Sequence, residues 1–344
     1  MTDRASQADA FLLHSGWGDA ARAPLAGDAS NRKYLRLKHA DGRIAVFMDA
    51  PTALGEDVRP FVFIARHLSG LGLSAPQIYA EDTANGFLLL EDLGDALFVR
   101  VIAQDAAMER PLYEAATDAL LHLHKSPPPA GLAPYAPPYM TQMAALAYSF
   151  YLGGGTDLSP QEVSKRAAAF ANLFEPLLQS DAAEASVLVQ RDYHAENVLW
   201  LPEREGAAKV GLLDFQDALA GHPAYDLVSM LQDARRDVPV LIEKQMIARY
   251  ISASGCEAAG FEVAYHLLGA QRNLRILGVF GRLCMRDGKA HYIDLIPRVW
   301  GYLMRDLDHP ALAPVAEMLR RDLPAPTDEI LQRLKDKCAT LPKP

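Results

Sequence analysis

The chain has 344 residues, half of them hydrophobic and 22% charged, which allows two domains with large buried cores. A formal net charge of −9 argues against a general nucleic-acid binder, which needs a basic face for the phosphate backbone. Cys256, Cys284 and Cys338 have no metal-type spacing, which predicts reduced structural thiols in a cytosolic protein. The polar stretch from Met1 to Ala10 lacks a signal-peptide core, and no apolar run reaches the length of a membrane span. The expectation is a soluble, cytoplasmic protein with neither nucleic acid nor membrane as partner.

Gln7 to Gly16 is amphipathic and predicts a short helix. Gly16-Trp-Gly-Asp-Ala-Ala21 formally fits a dinucleotide fingerprint, but no strand precedes it, so it reads as a turn. Leu25 to Leu37 is a turn-rich segment feeding an alternating strand, and Asp41-Gly42 leads into a second strand, Arg43–Asp49. Turn, strand, hairpin and strand in this order let a loop fold over phosphates, with backbone N–H groups at Gly27, Ala29 and Ser30 as candidates. After a break at Pro51 to Gly55, Asp57 to Ser69 carries apolar residues at helical spacing and stops at Gly70. Ser74 to Ala80 and Gly86 to Leu90 read as a strand pair around an Asn85-Gly86 turn, followed by the acidic Glu91-Asp-Leu-Gly-Asp95.

From Ala96 the pattern turns helical. Leu112–Leu123 is amphipathic and Pro127 to Pro129 forbids its continuation. Tyr139–Leu152 predicts a helix up to the glycines 153–155. Ser159-Pro-Gln-Glu162 starts another, with Ser as N-cap and Pro at the first helical position, running to about Leu178. Pro223–Asp233, Pro239–Ser252, Phe261–Arg286 and a helical pair within Pro314 to Asp336 complete the chain. The fold class is α+β: a small β-rich part near residues 20–92 and a larger helical part.

The stretch Val187 to Asp217 carries the chemistry. Val198–Leu201 and Lys209–Leu213 are β-like runs around Pro202-Glu-Arg-Glu-Gly206, which has hairpin composition. Asp192 precedes the first run, Asn197 opens it and Asp214 closes the second. This is the spacing of a phosphoryl-transfer site, where one carboxylate accepts a hydroxyl proton and oxygen ligands hold Mg²⁺. Asp192 suits the base, because it sits on a loop between apolar runs. Asn197 and Asp214 suit the metal, because a tight hairpin brings the ends of its strands together.

Gln190-Arg-Asp-Tyr-His-Ala-Glu-Asn197, Leu213-Asp-Phe215 and Gly221-His-Pro-Ala-Tyr-Asp226 resemble the aminoglycoside phosphotransferase and choline kinase family. The resemblance runs from about Leu25 to Arg286. It implies a two-lobed protein-kinase-like fold, with residues 1–92 as the N-lobe carrying the phosphate loop and 93–344 as the helical C-lobe. It also implies ATP and Mg²⁺ as cofactors and a small hydroxylated molecule as acceptor. Asp192 takes the role of base, Asn197 and Asp214 those of metal ligands, and Asp226 and His194 those of support for the loop. Leu121-His122 resembles the helix end that packs near it. Departures are Gln190 for the usual His, Gln216 for Gly, and Met48 where a phosphate-holding Lys belongs. Either another cation substitutes for that Lys or nucleotide handling is impaired. Arg36 is the favoured substitute, with Glu56 or Asp57 as partner. Backbone groups of Glu91 and Leu93 would meet adenine, and no P-loop motif occurs.

Gly27 to Arg36, Val46 to Pro51 and Gln271-Arg-Asn-Leu-Arg275 look like the branch that phosphorylates the anomeric hydroxyl of N-acetylmuramate and N-acetylglucosamine. There a Met at the Lys position is no defect. The helix Phe261–Arg286 is expected to present Gln271, Arg275 and Arg282 along one side, with Arg275, Arg282 or Arg272 meeting a substrate carboxylate; a salt-bridged helix surface is the alternative. Aminoglycosides need an acidic cluster that is not evident. Choline would need convergent aromatics, for which Tyr135, Tyr139, Tyr148 and Tyr151 are available. A nucleotide-binding pseudokinase is the reading that Met48 favours.

Overall fold

The computed structural model describes residues 3–25 and 31–342. In chain order the elements are α1 (Arg4–His14), β1 (Ala21–Pro24), β2 (Lys33–Lys38), β3 (Ile44–Asp49), α2 (Arg59–Gly70), β4 (Ile78–Asp82) and β5 (Phe87–Leu90). Then follow α3 (Phe98–Gln104), α4 (Glu109–Leu123), α5 (Pro137–Ala144), a π-type segment (Ala147–Leu152) running into α6 (Gly153–Gly155), and α7 (Pro160–Asp181). Next come β6 (Val187–Val189), β7 (Val198–Trp200), β8 (Val210–Leu212), β9 (Leu219–Gly221), α8 (Ala224–Leu231), α9 (Val240–Ser254) and α10 (Ala258–Asp287). The chain ends with α11 (Ile296–Asp306), α12 (Ala313–Asp322) and α13 (Asp328–Asp336). These form two compact units, Met1–Leu123 with Ala195–Ala218, and His124–His194 with Leu219–Pro344.

The first unit is built on a five-stranded antiparallel sheet of order β1-β2-β3-β5-β4. Tyr34 pairs with Met48 and Arg36 with Val46, so these four side chains share one face. The other face carries Leu35, Leu37, Ala45, Phe47, Phe87 and Leu89, and α1 closes it with Ala8, Phe11 and Leu12. Strand β1 falls where the sequence reads as turn and linker. Its four residues, Ala-Arg-Ala-Pro, are all exposed and show no alternation, and Pro24 is tolerated because the strand is an edge. Helix α2 buries Phe61, Ile64, Ala65 and Leu68, the face its spacing predicts.

The β7–β8 hairpin belongs to this unit. Trp200 donates its N–H to the Ala96 carbonyl (2.8 Å) and Leu212 to that of Ser74 (2.9 Å). Arg204 in the hairpin turn reaches Ser74 Oγ (2.7 Å) and Glu91 Oε1 (2.5 Å).

The second unit is helical around α10, a 30-residue helix with most of its surface buried. Strands β6 and β9 pair antiparallel, Val187 with Gly221 and Val189 with Leu219. Three-residue strands are too short for a period of two to register. Helix α11 lies in a stretch to which the sequence assigns no element. The glycines 153–155, expected to stop a helix, continue it instead. A Cβ on Gly154 would come 2.6 Å from a Leu334 methyl, so bare backbone is what lets α13 pack there. None of the described helices is long and apolar enough to cross a membrane.

Gly278 of α10 makes the closest crossing of this unit: a Cβ there would lie 2.3 Å from the Leu146 carbonyl carbon and 2.6 Å from the Ala147 nitrogen. Both are backbone atoms and cannot swing away. Gly278→Ala is expected to destabilise the protein by about 1–3 kcal/mol despite its better helix propensity. A thermal unfolding midpoint equal to wild type would show that α10 does not cross the 145–147 backbone this closely.

Candidate active site

The hairpin expected to hold metal brings its two ligand candidates together. The Leu213 N–H bonds the Asn197 carbonyl at 2.9 Å, closing the hairpin ends. Asn197 Nδ2 then donates to Asp214 Oδ2 at 3.3 Å, and Gln216 Nε2 to Asp214 Oδ1 at 2.6 Å. Asp214 has φ = 58°, a left-handed conformation that Asp tolerates better than most residues and that aims its carboxylate back at Asn197. The next residue, Phe215, is fully buried and stacks on Phe61 of α2 with centroids 4.9 Å apart. A helix in the sheet unit thus pins the residue beside Asp214. The donors are one carboxylate and one amide oxygen, both hard ligands. No cluster of three or more His, Cys, Asp or Glu forms a cage among the described residues. That set suits Mg²⁺, which takes one or two carboxylates and completes its shell with phosphate and water.

The nucleotide residues expected in this unit are placed unevenly. Gly27 and Ser30 lie outside the described residues. Met48 is buried, on the same face as Arg36. Arg36 spends its guanidinium on two carboxylates: Nε and Nη2 on Asp92 (2.6 and 3.1 Å) and Nη1 on Asp95 (2.8 Å). These bonds hold its pKa above the ordinary arginine value, Asp95 contributing most. Glu56, a candidate partner for Arg36, instead pairs with Arg32 Nε at 2.8 Å and accepts the Asn31 N–H at 3.0 Å. Strand alternation puts Arg32 on one face with Tyr34 and Arg36, and the structure stands it one residue before β2.

At the acidic link, the Glu91 N–H is committed to the Gln77 carbonyl at 2.8 Å. Asp92 accepts the Gly94 N–H at 2.8 Å and so shapes the link that Arg36 ties to the sheet. His122, expected near the catalytic loop, bonds the Leu71 carbonyl at 2.8 Å.

The second unit holds the base candidate. The Gln190 and Arg191 N–H groups both donate to Asp226, at 2.6 and 2.9 Å, and Ser229 Oγ donates to the Arg191 carbonyl at 3.1 Å. All three interactions come from α8 and fix the two residues before Asp192. Arg191 has φ = 74°, an outlier for a bulky residue, held by these bonds. Asp226 is fully buried; burial pushes its carboxyl up to about 7 against the pull of the two amides.

Burial also pushes Asp192 upward, but Arg275, His194, Arg272 and Arg191 outweigh it, and the net pKa falls below the usual carboxylate value. Asp192 is therefore ionised at neutral pH. His194 is buried and neutral: burial lowers it to about 4, and its Nε2 lies 3.2 Å from Arg235 Nη1, which donates.

The arginines of α10 differ from the expectation of an exposed row. Gln271 is fully buried, donating to the Met140 carbonyl (2.9 Å), and Arg272 is 2% exposed with Nη1 on the Gln232 carbonyl (3.2 Å). Neither lies on a salt-bridged surface. Arg275 is partly exposed and sits against Tyr225 and Tyr135, which with Asp192 raise its pKa although burial opposes them. The aromatic set proposed for choline does not assemble. Tyr148 and Tyr151 are core residues whose hydroxyls go to Asp322 (3.4 Å) and the Pro324 carbonyl (2.7 Å).

Comparison with known proteins agrees with this arrangement. The model of a family described as "Phosphotransferase enzyme family" matches residues 22–263. An N-acetylmuramate/N-acetylglucosamine kinase of Caulobacter vibrioides is 40% identical, covering 95% of this chain and 98% of the relative. One from Pseudomonas putida is 33% identical over 91% and 92% of the two chains. Among solved structures, the choline kinase LicA from Streptococcus pneumoniae superposes with a TM-score of 0.60 at 13% identity, covering 88% of this chain and 99% of its own. The ADP-bound aminoglycoside phosphotransferase APH(2'')-Ib does so with 0.58 at 15% identity over 90% and 98%. These two show the fold, α+β and protein-kinase-like. A family model spanning most of the chain, joined to a 40% identical relative over nearly all of it, places this chain in the phosphotransferase enzyme family, as a kinase that transfers phosphate to an alcohol group.

Proposed function

We propose that the chain uses ATP and Mg²⁺ to phosphorylate the anomeric hydroxyl of an N-acetyl amino sugar, N-acetylmuramate or N-acetylglucosamine. The observation that carries the acceptor choice is the setting of Asp192. Arg191, Arg272 and Arg275 act on it within its own unit, and no such surround suits an aminoglycoside polycation. The same arginines attract a lactyl carboxylate. The names of the two curated relatives point to the same sugars.

In this reading Asp192 accepts the proton of the attacking hydroxyl. A carboxylate held below its ordinary pKa is a weak base, which suits a phosphoryl transfer whose bond to the nucleophile forms late. It also suits an anomeric hydroxyl, which the ring oxygen makes more acidic than an ordinary alcohol. Asn197 and Asp214 would hold Mg²⁺, which neutralises phosphate charge when bound. The Glu91 carbonyl and Leu93 N–H would take adenine, and the stretch around Gly27 and Ser30 the phosphates. The division into an N-lobe, 1–92, and a C-lobe, 93–344, belongs to the same reading.

The cation standing in for the absent lysine is Arg32 rather than Arg36. Arg36 is doubly neutralised by Asp92 and Asp95, whereas Arg32 lies two residues after Ser30 in the sequence and is oriented by Glu56. For the sugar, Arg275 replaces Arg272 as the carboxylate binder, because Arg272 is buried and already committed to Gln232.

Three measurements test this. ADP release should depend on Mg²⁺, be stimulated by N-acetylmuramate or N-acetylglucosamine, and fall by about 10²–10⁴ in Asp192→Asn and Asp214→Asn. Nucleotide binding without turnover on any sugar would identify a pseudokinase instead. Arg32→Ala should raise the KM for ATP about tenfold or more, as expected for loss of a charge-assisted bond, and Arg36→Ala should raise it less; the reverse order would return the role to Arg36. Arg275→Ala should cut kcat/KM for N-acetylmuramate about tenfold more than for N-acetylglucosamine. An unchanged preference between the two sugars would rule Arg275 out as the carboxylate binder.

A further inference from the structure

Behind the base loop, α8 is wholly buried and touches the loop's surroundings at both ends. Asp226, in its first turn, receives the two loop amides. At its last turn, the carbonyl of the capping residue Gln232 receives Arg272, whose charge bears on Asp192. The carbonyls of a helix C-terminus lack intrahelical partners, so Arg272 serves as a side-chain cap.

The Gln232 amide is in turn oriented by groups that no part of the mechanism uses. Its Nε2 donates to Asp306 Oδ1 at 2.9 Å and to Glu243 Oε1 at 3.3 Å, and its Oε1 accepts Asn273 Nδ2 at 2.7 Å. Asp306, at the end of α11, is 0% exposed and also takes Asn273 Nδ2 on Oδ2 (3.2 Å) and His266 Nδ1 on Oδ1 (3.0 Å). Space for that carboxylate is made by Gly269 of α10, where a Cβ would come 2.4 Å from Asp306 Oδ2. Burying a carboxylate where an apolar side chain would fit is a poor way to stabilise a fold. It is a good way to hold an amide in one orientation, since ionic hydrogen bonds are strong and directional.

We infer that Asp306 is a positioning residue for the phosphoryl-transfer reaction: by orienting Gln232 it fixes the end of α8 that receives Arg272, and α8 in turn holds, through Asp226 and Ser229, the two residues before Asp192. The inference rests on Asp192 being the base. Asn273 and Gly269 are the other parts of the device, one bridging Gln232 to Asp306 and the other leaving room for the carboxylate.

The test uses the full chain and two variants that leave α8 and the loop untouched. Asp306→Asn keeps the shape but places N–H groups against donors. Gly269→Ala displaces the carboxylate sterically while favouring the helix it sits in. Each should lower kcat for amino-sugar-stimulated ADP release about ten- to a hundredfold, as misplacement of a reacting group does, with the KM for ATP within about twofold of wild type. The loss should be non-additive with Arg272→Lys, since both act through one residue. Additive losses, or a lowered unfolding midpoint with wild-type kcat in whichever of the two variants folds, would reduce the cluster to a structural one and overturn the inference. Asp192→Asn separates the layers. Turnover surviving in it sinks the base assignment and this inference together, whereas turnover lost there but unaffected by Asp306→Asn sinks this inference alone.

Discussion

The interaction on which the rest depends is the buried carboxylate of Asp226 accepting the N–H groups of Gln190 and Arg191. Arg191 occupies a left-handed conformation, a strain of roughly 1–3 kcal/mol for a residue of this kind. Two hydrogen bonds to a carboxylate, each worth roughly 1.5–3 kcal/mol, exceed that strain, and the bond from Ser229 adds to them. The backbone turn that leads into Asp192 is thereby over-determined. Strain of this size persists only when the surroundings enforce it, and here three hydrogen bonds to two side chains of a single buried helix do so.

Charge is distributed so that the two halves of the reaction meet different environments. Asp192 lies among arginines in the helical unit, which keeps it ionised and weakly basic. In the sheet unit, the cations are themselves held by carboxylates: Arg36 by Asp92 and Asp95, Arg32 by Glu56. A lysine in the middle of β3 would have to reach out of a strand whose neighbours Leu88 and Leu90 are apolar. Met48 instead packs there, buried and paired with Leu88. A guanidinium held in a fork of carboxylates keeps its direction better than a flexible ammonium does.

Much of the site was legible because its chemistry is local. Asp192, Asn197 and Asp214 stand in a span of 23 positions with strand-like runs between them, and hairpin closure follows from that spacing alone. Asp226 was legible for the same reason, at the start of a helix with a recognisable Pro. What stayed hidden was set by contacts between distant segments. Nothing in the sequence pairs Arg32 with Glu56, 24 residues on, and helical spacing alone does not show that tertiary packing buries Gln271 and Arg272. A 3.6-residue period reports a helix's faces only when one of them is exposed, and most of α10 is covered.

The sequence by itself determined the reaction type and the α+β class and singled out Asp192, Asn197 and Asp214 as candidates, since loops and hairpins impose their geometry over a few residues. The tertiary structure alone decided which cations are spoken for and which arginine is partly open. It also decided that Asp306, more than a hundred residues after Asp192, meets Gln232 at the end of α8. Those facts depend on which helices pack against α10, and that is fixed by burial across the whole unit rather than by any local spacing.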